Sequence, residues 1–174
     1  METIEERAQK YKVLNKLAVK GEAVVFGSDY LSDFPFYTLM QKRVSDYAVY
    51  NRSLESLTVK QAKSVVDDCL KYLAPSNILI SFGENETANE EFLQDYDELI
   101  AKICKDYASA KVAVLQTVGS DDDFAAKVKE IAEKNGAMFI AVNPNAKDDM
   151  EVFAEMSSFF RRGKISFWDA FAAR

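Results

Sequence analysis

"VVFGSDYLSDFP", residues 24–35, carries an apolar run into a polar turn and then into a segment that reads as a helix starting near Pro35. A strand that ends this way sets polar side chains at its carboxyl end, and the fold depends on whether the pattern repeats. It does. Five short β-rich runs, at 23–27, 47–50, 77–82, 111–116 and 137–142, alternate with longer segments of helical spacing. The runs are nearly continuous in apolar residues instead of alternating, as expected when helices cover both faces of a parallel sheet.

The helical segments carry their own punctuation. "TVKQAKSVVDDCLKYLAP", residues 58–75, puts Val59, Ala62, Val65, Val66, Cys69 and Leu70 on one face, with Thr58 as cap and Pro75 as stop. Residues 88–107 repeat the spacing through Leu93, Tyr96, Leu99, Ile100 and Ile103, and in 121–135 "SDDD" ahead of Phe124 suits the helix dipole. A leading helix over roughly 3–19, within residues 1–20, and a C-terminal helical segment, 150–174, complete a single domain spanning 1–174. Right-handed crossovers between such units predict a three-layer α/β/α sandwich, a flavodoxin-like fold whose five-stranded parallel sheet has the order 2-1-3-4-5.

Composition excludes several functions. The net charge is −6 and the basic residues are scattered, "FFRRGK" being the densest group, so no stripe exists to neutralise a nucleic-acid backbone. The longest apolar runs fall far short of the ~20 residues a bilayer crossing needs. The charged N-terminus "METIEERAQKYK" is unlike a signal peptide, and a cytoplasmic protein without membrane contact is expected. Cys69 and Cys104 have no ligand-spaced partner and read as small buried apolar residues, and no cofactor is expected.

In a 2-1-3-4-5 sheet the ligand crevice lies outside the carboxyl ends of strands one and three. There the two most polar loops meet, "GSDYLSD" (27–33) and "GENETANE" (83–90). Asp29, Asp33, Glu84 and Glu86, with Ser28, Ser32 and Asn85, are the candidate site residues. Each also has a plainer reading. Ser28, Ser32 and Asp33 could cap the helix near Pro35, Asn85, Thr87 and Asn89 could cap the helix from 88, and the acids could be solvated loop charge. Those readings leave Gly83 unexplained.

Four blocks, "AVVFGSDYL", "VYNRSLESLT", "NILISFGENE" and "YDELIAKICKDYASAKVAVLQTV", resemble in order and spacing the successive blocks of the SGNH, or GDSL, hydrolases, over residues 22 to about 142. The resemblance implies that the nucleophilic serine position is Asp29, with Ser28 where the family's aspartate stands. It places the oxyanion glycine on Ser56, after Asn51, Arg52 and Ser53. It places the oxyanion asparagine on Asn85 and the following aspartate on Glu86. The Asp-x-x-His block that supplies the base matches Asp148-Asp149-Met150-Glu151 only loosely, with glutamate where histidine belongs, and the chain contains no histidine at all.

Serine catalysis needs a base that takes the hydroxyl proton and returns it to the leaving group near neutral pH. The implied function is therefore a non-catalytic SGNH-like domain that binds a small polar ligand or a protein partner through Ser28, Asp29, Asn51, Ser56, Asn85 and Glu86. Three other readings compete with it. One is a metal-assisted enzyme with Asp29 and Glu86 as hard oxygen ligands, joined by Asp33 or Glu84. Another is an unorthodox esterase or acylhydrolase using the Ser28 hydroxyl at the same crevice. The third is a scaffold presenting Phe34, Phe36, Tyr37, Phe159, Phe160, Phe167 and Trp168 as an aromatic surface.

Overall fold

The computed structural model describes residues 2–41 and 47–160. Five parallel strands, β1 (Ala23–Gly27), β2 (Val49–Asn51), β3 (Asn77–Ser81), β4 (Lys111–Leu115) and β5 (Met138–Ile140), form one sheet. Its order is β2-β1-β3-β4-β5, as the alternating pattern predicts. Helices α1 (Ile4–Asn15), α2 (Asp29–Asp33), α3 (Phe36–Gln41), α4 (Val59–Leu70), α5 (Glu90–Asp106), α6 (Asp122–Lys134) and α7 (Asp149–Phe160) flank it.

The strands lack alternation because each feeds two cores. Val24 and Phe26 of β1, Ile78 and Ile80 of β3 and Val112 and Val114 of β4 face one layer, packed against α1, α4, α5 and α6. Their neighbours Ala23, Val25, Leu79, Ala113 and Leu115 face the other, packed against α2, α3 and α7. Side chains of a strand point alternately up and down, so covering both faces demands an apolar residue at every position.

Caps set the helix starts as their sequences require. Thr3 and Thr58 form capping boxes with Glu6 and Gln61. Asn89 accepts from Phe92 N–H at 2.9 Å and Asp121 from Phe124 N–H at 2.7 Å. The edge between α1 and the sheet is pinned by Arg52, which donates to Asn15 Oδ1 at 2.7 Å and lies 4.9 Å and 5.2 Å from the Tyr11 and Tyr50 ring centroids.

Three boundaries differ from expectation. The helix expected near Pro35 is two short helices, of which α2 starts directly after the β1 turn. Phe34 breaks them because the residue before a proline is pushed out of the helical region, here to φ −64°, ψ 128°. The second strand is shifted to Val49–Asn51, and α1 stops at Asn15, whose buried amide binds the Cys69 and Lys71 carbonyls at 2.8 and 3.1 Å. The aromatic-surface reading also needs correction. Phe34, Phe36, Phe159 and Phe160 belong to the second core, where burial of their large apolar area is worth more than exposure, and Tyr37 is exposed. Phe167 and Trp168 lie outside the described residues.

Among the described residues no helix is long and apolar enough to cross a membrane.

Candidate functional site

The site is set by how closely β1 approaches β3. Gly27 pairs with Ser81, and a Cβ on Gly27 would fall 2.4 Å from the Ser81 carbonyl oxygen. Ser28 N–H continues the contact, donating to the same oxygen at 3.3 Å. Ser28 occupies the N-cap position of α2, but its side chain caps nothing; it is 2% exposed and its hydroxyl has no hydrogen-bond partner. Expected among the ligand-binding residues, Ser28 is placed by the structure with its hydroxyl buried at the turn.

Asp29, the next residue, faces outward. Its Oδ1 accepts the backbone N–H of Ser56 and its Oδ2 accepts Nδ2 of Asn85. Three segments distant in sequence therefore converge on one carboxylate, each oxygen held by its own donor. Ser56 supplies its N–H from a left-handed backbone, φ 60°. That conformation costs a residue with a Cβ about 1–2 kcal/mol and a glycine almost nothing.

Glu86 does not join Asp29 on the Ser56 and Asn85 donors. Both its oxygens accept the backbone N–H of Val59, at 3.0 and 3.1 Å, so it sits on the positive end of α4. Burial raises its pKa, partly offset by that amide. Asn51 is also committed to structure, its Nδ2 donating to the Leu31 carbonyl at 2.6 Å and its Oδ1 accepting Ser53 N–H at 3.0 Å, which ties β2 to α2. Asp33 is exposed at the end of α2. Of the carboxylates proposed as metal ligands, Asp29 and Glu86 are thus occupied separately by N–H donors, and among the described residues no group of three His, Cys, Asp or Glu side chains could hold a metal ion.

Glu84 is the unsatisfied member of the loop. Both carboxylate oxygens are buried, and the backbone N–H groups of Tyr30 and of Glu84 itself approach without reaching hydrogen-bond geometry. Burial pushes its pKa above the ordinary 4.5, and the charges of Asp29 and Glu86 add to the shift. A carboxyl held neutral more readily when folded stabilises the protein below pH 4.5, and that contribution is lost as pH rises through the folded pKa. Glu84→Gln is therefore expected to raise stability more at pH 7 than at pH 4 and to flatten the decline in stability above pH 4.5, in part, since Glu86 shifts the same way. Urea melts at pH 4 and pH 7 measure this; equal effects at both would mean the carboxylate carries no penalty.

Beyond Asp29 a cavity of about 510 Å³ opens between Tyr30, the β4 end (Gln116, Thr117) and the loop after β5 (Asn143, Lys147, Asp149). Tyr30 bridges it, its hydroxyl donating to Asp149 Oδ1 at 3.4 Å, and burial followed by the Asp149 charge raises the phenol's pKa. Sequence reasoning did not find this chamber. The switch-point rule points to strands one and three, and its walls come from loops after strands four and five, whose residues carry no pattern of their own.

No family model matches the sequence, and no curated protein matches it. Solved structures do. A Streptococcus pneumonia protein provisionally named a platelet activating factor superimposes with a TM-score of 0.78 at 14% identity, over 90% of this chain and 92% of that one. A provisionally assigned acylhydrolase of Bacteroides fragilis gives 0.68 at 14% identity over all of both chains. A GDSL-like lipase of Bacteroides thetaiotaomicron gives 0.63 at 14%, over 87% and 94%. The chain has the SGNH hydrolase fold.

Measured against the SGNH pattern, the fourth block is spent on structure. Asp148 Oδ1 accepts the N–H groups of Met150 and Glu151, both at 3.0 Å, and Glu151 Oε2 accepts Lys147 N–H at 2.9 Å. Together they cap the start of α7. Glu151, which the sequence resemblance only loosely aligned with the histidine, thus turns back to the segment that opens its own helix.

Proposed function

We propose that this chain is a non-catalytic SGNH-fold domain that binds a small polar ligand, or a polar group of a protein partner, at the carboxyl edge of its sheet. The observation that carries the reading is the Asp29 carboxylate seated on Ser56 N–H and Asn85 Nδ2. These are the donors that, by the family pattern, would receive the developing oxyanion, and a carboxylate is a permanent likeness of that charge. Asp29 is an occupant built into the chain. A ligand is accommodated beside it, in the chamber walled by Tyr30, Gln116 and Asn143. The buried Ser28 hydroxyl and the absence of histidine weigh against an unorthodox esterase.

Removing the occupant should expose the donors. In Asp29→Ala, 100 mM acetate is expected to raise the melting temperature by several degrees, the shift that about 1.4 kcal/mol of binding gives at ten times a millimolar-range Kd. Wild type, with its own carboxylate in place, should not respond beyond the effect of equal chloride. If both proteins respond alike, the seat is not occupied by Asp29 in solution and the reading fails.

A further inference from the structure

At the amino edge of the sheet, on the side away from Asp29, the chain exposes a compact apolar tip. Val13 and Leu14 end α1, and Leu17 and Val19 follow in the turn before β1, 86% and 64% exposed. Three exposed lysines surround this tip. The ammonium groups of Lys16, Lys71 and Lys20 lie 5.6, 5.5 and 6.0 Å from the centroid of the half-exposed Tyr72 ring. Lys20 also donates to the Asn15 and Tyr72 carbonyls, and among the described ion pairs none involves these three lysines. Gly21 N–H bonds to the Leu73 carbonyl at 3.2 Å, which holds the turn against the segment that leads into β3.

Cations near helix C-termini have an ordinary explanation in the helix dipole. That explanation does not cover four large aliphatic side chains exposed beside them, whereas most large apolar side chains among the described residues are buried in two cores. Acids also stand at this amino edge, but Asp68 at the end of α4 is paired with Lys12, and Asp67 and Asp106 are paired with Lys102. Acidic first turns, Glu90 and Glu91 of α5, Asp122 and Asp123 of α6 and Asp149 and Glu151 of α7, crowd the carboxyl edge, about 17 Å of strand away from the lysines.

We propose that this tip is a docking surface for an anionic lipid membrane. Leu17 and Val19 enter the interface between headgroups and acyl chains, Tyr72 lies at headgroup level, and Lys16, Lys20 and Lys71 meet the lipid phosphates. Charge complementarity selects the partner: a second copy would set six lysines against one another, whereas an anionic surface pairs with all three. Exposure favours lipid over an acidic protein, since the apolar side chains stand in solvent at a helix end and the turn after it, and the cavity described above is lined by none of them. The acidic carboxyl edge then faces away from the membrane, leaving the Asp29 crevice open to solution. The expectation of no membrane contact rested on the absence of a long apolar run, which says nothing of a surface tip.

Sedimentation with vesicles tests it. The full chain should bind phosphatidylcholine vesicles containing 30% phosphatidylglycerol at least tenfold more tightly than pure phosphatidylcholine, and 0.5 M salt should release it. Lys16→Glu and Leu17→Asp should each weaken binding about tenfold, with melting temperatures lowered by no more than about 4 °C, the cost of reversing one charge at the C-terminus of α1. Lys129→Glu, the same charge change on exposed α6, should leave binding within twofold. Three results overturn the proposal: no retention on the anionic vesicles, equal loss in Lys16→Glu and Lys129→Glu, or retention on polyglutamate-coated beads equal to that on vesicles and indifferent to Leu17→Asp.

Discussion

Incubated with p-nitrophenyl acetate, the protein is expected to release p-nitrophenol at the buffer rate, and Asp29→Ser is not expected to turn it into an enzyme. In wild type the Ser56 and Asn85 donors are filled by Asp29, so even the residual rate that an oxyanion hole supports without its triad is lost. Asp29→Ser frees the donors and places a hydroxyl at the nucleophile position, but it supplies no histidine, and Glu84, the carboxyl without a hydrogen-bond partner in the neighbouring loop, is a far weaker base than imidazole. Glu151 and Asp148 are held at the start of α7, Glu86 at the start of α4, and histidine is absent. Triad members act as a unit, and losing the base costs about 10⁶-fold. From a typical turnover near 10 s⁻¹ this leaves roughly 10⁻⁵ s⁻¹ for the variant. Initial rates over pH 6 to 9 decide the matter. Turnover orders of magnitude above that value, abolished by Ser28→Ala, would mean that the buried hydroxyl becomes accessible and that a carboxylate serves as base.

Gly27→Ala should be the most damaging single-methyl change in the sheet. The added Cβ would meet the Ser81 carbonyl oxygen at 2.4 Å and Leu31 Cδ1 at 2.8 Å. Leu31 can rotate, but the carbonyl belongs to the neighbouring strand and accepts Ser28 N–H. Relief requires the two central strands to part where the site is built, at a cost of about 3 kcal/mol and a melting temperature lower by roughly 6–12 °C. Gly21→Ala provides the contrast. Its Cβ meets nothing within 4 Å, and only its φ of +79° is strained, so it should cost about 1 kcal/mol. Similar losses in both variants would show that crowding at Gly27 is not the cause. Gly83, the glycine that capping left unexplained, combines both constraints, with φ +118° and a Cβ position 2.9 Å from Phe124 Cζ.

The particular residues show where sequence reading succeeds. Thr58 is read correctly as a cap, and Asn89 is among the three residues offered for the next one, because a cap bonds to an amide two or three residues away, within the reach of a local pattern. Phe34 before Pro35 shows a local rule passed over: the break between α2 and α3 is written in the X-Pro pair, and a single helix near Pro35 was expected instead. Glu86 illustrates a contact that no local pattern announces. Its position predicted a crevice ligand beside Asp29, but its side chain found the exposed amide of Val59, 27 residues away.

The sequence by itself determined the sheet and the identity of the missing chemistry. Five continuous apolar runs between amphipathic segments admit a doubly wound parallel sheet, because only residues covered on both faces are apolar at every position. A chain without histidine cannot hold a Ser-His-Asp triad in any conformation. The tertiary structure alone decided what each polar side chain does at the switch point. Asp29, Ser56 and Asn85 are separated by 27 and 29 residues, and nothing local distinguishes a carboxylate that receives their N–H groups from one left in solvent. Hydrogen bonds to a carboxylate are short-ranged and directional, so their partners are chosen only when β1 and β3 have closed to within a glycine's width.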